Sequence, residues 1–346
     1  MQRFEPKLLE QAKKLLSSFN KIVIVPHTNP DGDAMGASIG LHYVLTALGK
    51  SVTIVSPTDF PEYLKWTDVS KEVVIFEWEN AKAKRVMRHA EMIVYLDFND
   101  IKRTGSMENE LVALNKPSIM IDHHPYPKDI AIYSFSDTTS SSTCELVVDF
   151  VYECGWKESL CRTGASSLFM GILTDTGGFA HNSSNPNLYR VVGLLMEKKV
   201  DKDYIYSKVF HQFSANRLRL MGYAISEKMT VLEDLSVSYI TLTKEELEKY
   251  QFQSGDTEGV VNEPLQIKGM VCSVLFMEKD GFIKISFRSK GDFPVNEISE
   301  KYFHGGGHLN AAGGRSNGTL LEATQKFEKV IQEYRELLIN EMQKLK

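Results

Sequence analysis

Thiol chemistry is the first thing this 346-residue chain has little of. Its four cysteines, Cys144, Cys154, Cys161 and Cys272, form no Cys-x-x-Cys pair. Neither a structural zinc motif nor a disulfide framework can be read from them, and they are expected to be reduced packing residues of a cytoplasmic protein. Long apolar runs are also missing. No window approaches the ~18 uninterrupted apolar residues of a membrane-spanning helix. The opening residues, Met1 to Glu5, carry no apolar signal-peptide core, so no membrane association is expected. Excess positive charge is the third absence: 40 Lys and Arg against 45 Asp and Glu leave a net charge of −5. Proteins that hold long duplex nucleic acid by neutralising phosphates are usually basic. Here positive charge must be concentrated locally, or the substrate must be short. There is no internal repeat and no low-complexity segment.

What is present is ordinary globular material, 42% hydrophobic and 25% charged, which excludes a disordered chain. At about 150 residues per domain, the length suggests two domains. Residues 7–19 have an amphipathic helical stripe. Lys21 to Val25 is a short β-branched run and reads as a buried strand. A loop to Asp33 and a helix from Ala34 to Leu48 follow, the latter closed by Gly49. Ser51–Val55, Val73–Phe76, Met92–Leu96 and Ser118–Ile121 are further strand candidates, and 143–154, 160–174 and 187–197 look helical. This alternation predicts a parallel α/β sheet. After about residue 200 strand-like runs dominate, at 236–241, 270–277 and 282–287, with a hairpin signal at Lys279-Asp280-Gly281. A glycine-rich stretch and a final helix from about Leu320 complete the chain. The expected organisation is a larger α/β domain at 1–198, a helical connector at 199–227 and a smaller α+β domain at 228–346.

Four places carry chemistry. His27-Thr-Asn-Pro-Asp31-Gly-Asp33 follows a buried strand and precedes a helix, where ligand crevices of open α/β sheets lie. A polar turn accounts for the same residues, with Pro30 and Gly32 bending the chain and Asp33 capping the helix. Three ligand-type side chains within seven residues keep a metal reading open beside it. Asp97 ends the apolar run Ile93 to Leu96; a carboxylate at a strand end is common by itself. Asp122-His123-His124-Pro125 ends another apolar run, and reads as either a core histidine pair or a pair of ligands. Asp175 ends an apolar helical stretch before a glycine turn. An acid there opposes the helix macrodipole, a small cost that a nearby cation would offset.

Together these places say more. If one crevice holds Asp31, Asp33, Asp97 and Asp175, four carboxylates repel one another by several kcal/mol unless neutralised. Two divalent cations would remove that repulsion. Carboxylate and imidazole ligands without thiolate suit Mn²⁺ or Mg²⁺, with Fe²⁺ or Co²⁺ as alternatives, over structural zinc. Such a two-cation site points to hydrolysis at phosphorus.

The ordered set His27-x₃-Asp31-x-Asp33, Asp97, Asp122-His123-His124 and Asp175 resembles the DHH phosphoesterase superfamily. Ser286-Phe-Arg288-Ser289 and Gly305-Gly306-Gly307-His308-Leu-Asn-Ala-Ala-Gly313-Gly314 resemble its DHHA1 domain. A compact chain of these two parts is similar to the bifunctional oligoribonucleases and 3′-phosphoadenosine 5′-phosphate (pAp) phosphatases, the nano-RNases. The resemblance implies an active site in the interdomain cleft. It implies that His27 and Asp31 hold one metal, that Asp33, His123 and Asp175 hold the other, and that Asp97 bridges both. Asp122 would orient the histidines, and His124 would face the substrate phosphate. On the DHHA1 side, Arg288, Ser289, His308 and the amides of Gly305, Gly306 and Gly307 would bind the substrate. The implied substrates are short single-stranded RNA and pAp. A homodimer is compatible with the pattern. Rival readings are hydrolysis of cyclic or linear dinucleotides, cleavage of pyrophosphate or polyphosphate, and nucleotide binding without turnover. Trp66, Trp78 and Trp156 are expected to pack, and Lys102-Arg103 to be a solvated face.

Overall fold

Strand β1 (Lys21–Val25) shows why the first sheet forms. Its β-branched side chains alternate between two faces: Ile22 and Ile24 enter one apolar cluster, Val23 and Val25 another. A strand buried on both faces belongs in a parallel sheet covered by helices on either side. Each such side chain contributes about 1.5–3 kcal/mol through burial.

The computed structural model describes residues 2–211, 213–253 and 255–345. They divide into two units, Met1–Gln212 and Phe213–Lys346. In the first, α1 (Pro6–Ser18) precedes β1. Then come α2 (Gly32–Ala47), β2 (Ser51–Ser56), α3 (Asp68–Lys71), β3 (Val74–Ile75), α4 (Asn80–His89), β4 (Met92–Leu96), α5 (Glu108–Leu114), β5 (Ser118–Asp122) and β6 (Tyr133–Ser136). Helices α6 (Thr143–Glu153), α7 (Arg162–Asp175), α8 (Pro186–Glu197) and α9 (Lys202–Phe210) follow. The six strands are all parallel, in the order β3-β2-β1-β4-β5-β6. Strand order reverses between β1 and β4, so the crevice for a ligand opens at the carboxyl ends of these two strands.

Helices α2, α6 and α7 are buried over most of their length. They approach closely because small residues line the contact. A Cβ on Gly171 of α7 would overlap the Cys144 sulfur of α6 and would also crowd the Gly32 carbonyl oxygen. That seam carries the start of α2, the start of α6 and the end of α7 to one place.

The second unit opens with α10 (Ala215–Ser226), β7 (Met229–Leu232), β8 (Val237–Leu242), α11 (Lys244–Lys249), β9 (Cys272–Lys279) and β10 (Phe282–Ser289). It closes with α12 (Val295–Phe303), β11 (Gly306–His308), β12 (Ala311–Ser316), α13 (Leu320–Gln332) and α14 (Arg335–Lys344). Its sheet runs β11-β12-β10-β9-β8-β7, antiparallel except for the β8–β9 pair. Asp280 and Gly281 make the tight β9–β10 turn, with Gly281 at φ +84°. Val274 and Phe276 enter one core cluster, Leu275 and Met277 the other, so this sheet too is covered on both faces.

The two α/β parts and the parallel sheet are those expected. Several details differ. Of the stretch 199–227, α9 lies in the first unit and α10 in the second. The short, half-polar strands β6 and β7 gave no period-2 signal strong enough to read. The glycine-rich stretch supplies β11 and β12, and the last helix is broken at Glu333–Tyr334. Trp78 does not pack: it is 66% exposed, whereas Trp66 and Trp156 lie against the core. Cys161 is exposed too, and its sulfur caps α7 by accepting the Gly164 N–H. Among the described residues no helix is long and apolar enough to cross a membrane.

Candidate metal centre

Three strand ends and two helix ends build this site. His27 follows β1, Asp97 follows β4, and Asp122 is the last residue of β5, with His123 and His124 next. Asp31 and Asp33 flank the start of α2, and Asp175 ends α7. The helix cap is Asp31 and not Asp33, because α2 begins two residues earlier than its apolar stripe suggests. Asp31 Oδ1 accepts the N–H groups of Asp33 (3.0 Å) and Ala34 (3.1 Å). Its other oxygen lies 3.9 Å from His27 Nε2.

The Asp33 carboxylate turns instead to the start of α6. It accepts the N–H of Thr143 at 2.6 Å and that of Cys144 at 2.9 Å. A carboxylate at a helix N-terminus gains from both the free amides and the macrodipole. Asp97, buried and at φ +66°, sits in a left-handed conformation that Asp tolerates better than most residues. Its Oδ1 accepts the Thr143 hydroxyl at 2.8 Å.

Among the described residues, two of the groups of ligand-type atoms combine carboxylates with a histidine from a different strand end, and Asp97, Asp122 and His124 form another. His27, Asp31 and Asp97 offer atoms within 4.8 Å of one another, and so do Asp33, His123 and Asp175. Asp97 reaches toward both: Oδ2 is 3.4 Å from His27 Nε2 and Oδ1 is 3.6 Å from His123 Nε2. Asp175 Oδ2 lies 3.6 Å and Asp33 Oδ2 3.8 Å from His123 Nε2. Asp122 holds His124 twice, accepting its N–H at 3.1 Å and pairing with its Nδ1 at 2.7 Å. His123 Nδ1 lies 3.4 Å from the Ser140 carbonyl oxygen.

These residues fit a divalent cation on two grounds. His27 Nδ1 pairs with the Thr28 carbonyl at 2.7 Å, so Nδ1 carries a proton and Nε2 is the atom turned to the carboxylates. Nε2 is buried, faces two carboxylates, and has no hydrogen-bond partner among the described residues. Burial works against a charge on this imidazole, but Asp97 and Asp31 outweigh it and raise His27, so the contact calls for positive charge on or beside Nε2, a proton or a cation. The second ground is electrostatic. Burial first, then the charges of Asp97, Asp175 and Asp31, push the Asp33 carboxyl well above its ordinary value. Burial works against protonation of His123, but Asp175, Asp97 and Asp122 outweigh it and raise this imidazole. Burial would likewise raise Asp97, yet His27, His124 and His123 hold it far below the carboxylate range. A field that draws protons onto Asp33 and His123 draws a cation in their place.

In the second unit Arg288 lies on β10, and its guanidinium donates to the Phe287 carbonyl at 2.9 Å. Arg288 pairs across to Ala311, which pairs with His308, so one cross-strand row carries both basic side chains. Ser289 gives its hydroxyl to the Phe293 carbonyl at 2.7 Å and accepts from Asn310 at 2.9 Å. The glycines have a packing reason of their own. Gly307 is at φ +146°, and a Cβ there would overlap the Ala311 carbonyl oxygen. The Gly305 N–H is engaged by the Ser299 carbonyl at 3.1 Å. Gly306 pairs with Gly313.

Thr143 is the residue that sequence reading passes over. The run Ser140-Ser141-Ser142-Thr143 before an apolar stretch signals a helix cap, and Ser142 is that cap. Nothing local reveals that the next hydroxyl meets Asp97, 46 residues away.

Comparison with known proteins places these residues among relatives. The DHH family, N-terminal domain, matches residues 21–172, and the DHHA1 domain matches residues 235–340. A bifunctional oligoribonuclease and PAP phosphatase NrnA from Thermus thermophilus is 28% identical over 339 residues, covering 97% of this chain and 96% of that protein. The protein of the same name from Bacillus subtilis is 25% identical over 303 residues, 87% of this chain and 90% of its own. Among solved structures, an exopolyphosphatase-related protein from Bacteroides fragilis superposes with a TM-score of 0.94 at 40% identity, covering 98% of this chain and 99% of that one.

Proposed function

Because the chain belongs to the DHH family and carries a DHHA1 domain behind its DHH domain, we propose that it is a metal-dependent phosphoesterase that hydrolyses short RNA oligonucleotides to 5′-mononucleotides and pAp to AMP and phosphate. The observation that carries this reading is the pair of three-residue groups that meet at Asp97. His27 and Asp31 would hold one divalent cation, Asp33, His123 and Asp175 the other, and Asp97 would touch both. Bound there, the cations neutralise the carboxylates, lower the pKa of water and polarise the phosphoryl oxygens. Mn²⁺ suits the oxygen and imidazole donors best, with Mg²⁺, Fe²⁺ or Co²⁺ as the other ions of matching chemistry.

The side chains then divide the work. Water attacks phosphorus in line, its proton passing to solvent, while the bond to the leaving oxygen breaks. His124, fixed through Nδ1 by Asp122, keeps Nε2 for the leaving oxygen, which it orients or protonates. Arg288 grips a substrate phosphate with its planar fork, and His308 on the same row adds a donor. Ser289 and the backbone of Gly306 and Gly307 shape that grip. The names of the Thermus and Bacillus relatives, which cover nearly the full chain, support pAp and oligoribonucleotides as the substrates.

A second reading, cleavage of inorganic polyphosphate, is favoured by the name of the Bacteroides fragilis relative. One experiment separates them: purified protein with Mn²⁺ is given pAp, a diribonucleotide, a cyclic dinucleotide and polyphosphate side by side, with products resolved by chromatography. AMP from pAp and mononucleotides from the dinucleotide support the proposal. Turnover of polyphosphate or the cyclic dinucleotide alone would replace it. Turnover of none, with tight nucleotide binding, would make the chain a binding module.

A further inference from the structure

Thr143 stands where the two groups of ligand-type residues meet. It is the first residue of α6 and is completely buried. Its hydroxyl donates to Asp97 Oδ1 at 2.8 Å and its N–H donates to Asp33 Oδ2 at 2.6 Å. Asp97 leaves the end of β4 and Asp33 lies in the first turn of α2, so a single residue from a third element fixes two carboxylates that share no backbone. Asp97 Oδ1, the atom the hydroxyl holds, is the oxygen on the His123 side.

Thr143 is itself held. Ser142 caps α6 by accepting the Glu145 N–H at 3.1 Å. Glu145 Oε2 takes the Ser141 N–H and hydroxyl at 2.9 and 2.8 Å. Glu145 Oε1 is anchored by Arg3 at 2.8 Å and by Asn187 at 2.7 Å. A loop tied this firmly gives its next residue little freedom.

We propose that Thr143 is a positioning residue for the cation pair: its hydroxyl fixes the rotation of the Asp97 carboxylate, so that one oxygen is turned to each cation. The proposal rests on the two-cation reading above. The physical need is plain. Asp97 sits at φ +66°, and a carboxylate that serves two groups must stop at one rotation about its last bond, a torsion that is broad and roughly two-fold by itself. A hydrogen bond from the side selects one well. Groups that orient a ligand in this way typically set metal affinity by a factor of about 10–100.

The test is an equilibrium titration of the full chain with Mn²⁺, with free ion followed by electron paramagnetic resonance, for wild type, Thr143→Val and Thr143→Ser. Thr143→Val removes the hydroxyl and keeps the backbone N–H to Asp33. It should weaken Mn²⁺ binding by about 10–100-fold and raise the half-activating Mn²⁺ concentration in parallel, with the KM for pAp at saturating Mn²⁺ unchanged. Thr143→Ser should restore both values. If Thr143→Val does not fold by circular dichroism, Thr143→Ala removes the same hydroxyl without a methyl against the carboxylate and takes its place. Wild-type affinity in the variant lacking the hydroxyl would overturn the proposal. Equal weakening in Thr143→Ser would also overturn it, because packing and not the hydroxyl would then be responsible. Failure of the wild type to bind Mn²⁺ would instead overturn the two-cation reading on which it rests.

Discussion

Asp97 offers its two carboxylate oxygens to two different histidines, Oδ2 at 3.4 Å from His27 Nε2 and Oδ1 at 3.6 Å from His123 Nε2. The two histidines come from the ends of β1 and β5, with β4 between them, so the geometry follows from strand order. A residue at the end of the middle strand is the one that can reach both sides.

Replacement of Asp97 by Asn therefore tests the bridge with least disturbance, since Asn also tolerates a left-handed backbone. The variant should lose cations from both groups and lose activity. Metal analysis of the purified protein checks this, and two full equivalents in an active variant would count against the bridging role.

His123→Ala and His124→Ala should part company. The first removes a proposed ligand, and bound metal should fall. The second leaves the ligand set intact, so metal should remain while turnover drops by roughly 10²–10⁴, as expected for lost acid–base help. Equal metal loss in both would show that the pair is misassigned.

Much of this site was legible because apolar runs stop abruptly on polar residues: Val25 before His27, Leu96 before Asp97, Ile121 before Asp122. A buried strand ending on an acid or imidazole signals a crevice. What was not legible depends on long-range approach. For Asp33 a helix cap stands beside the metal reading in the sequence, because nothing local tells that its carboxylate meets α6. The glycine-rich stretch gives no strand signal because glycine is a poor strand former, although the register with β10 makes it two strands. Trp78 shows the limit of composition: an aromatic is not buried unless a surface meets it.

Arg288→Ala should leave both cations bound and raise KM on every nucleotide substrate. Loss of a charge-assisted phosphate contact costs on the order of 1.5–3 kcal/mol. Steady-state kinetics with pAp and a diribonucleotide check it; unchanged constants would remove Arg288 from the substrate.

Arg3 should matter for stability without touching substrate. It pairs with Glu145 and Asp149 at 2.8 and 2.9 Å and with Asp137 at 2.9 Å. Burial alone would raise Glu145 and Asp137. For Glu145, hydrogen bonds from Asn187, Ser141 and Arg3 outweigh it; for Asp137, those from Thr139 and Arg3 do. Both carboxyls therefore lie below their ordinary values of 4.5 and 3.8. A depressed carboxyl adds stability above its unfolded value, and that stability disappears as pH falls through the folded value. Arg3→Ala should cost about 3 kcal/mol at pH 7, the low end for a broken buried pair because Asn187 and Arg190 remain. The deficit should shrink as the pH drops below about 4. Urea unfolding at several pH values measures it, and a pH-independent deficit would contradict the ionic account.

Substrate length follows from charge. The chain is acidic at −5, and long-strand binders draw affinity from many phosphate contacts along a positive groove. The ratio kcat/KM should be highest for pAp and for RNAs of a few nucleotides and fall for long ones. A length series of 5′-labelled RNA at fixed salt checks this, and processive degradation of long strands would contradict it.

The most direct measurement is anomalous diffraction at the manganese edge from crystals of the full chain grown with Mn²⁺. Two peaks are expected, one among His27, Asp31 and Asp97 and one among Asp33, His123 and Asp175, with Asp97 contacting both. A single peak, or peaks ligated by other residues, would contradict the two-cation reading.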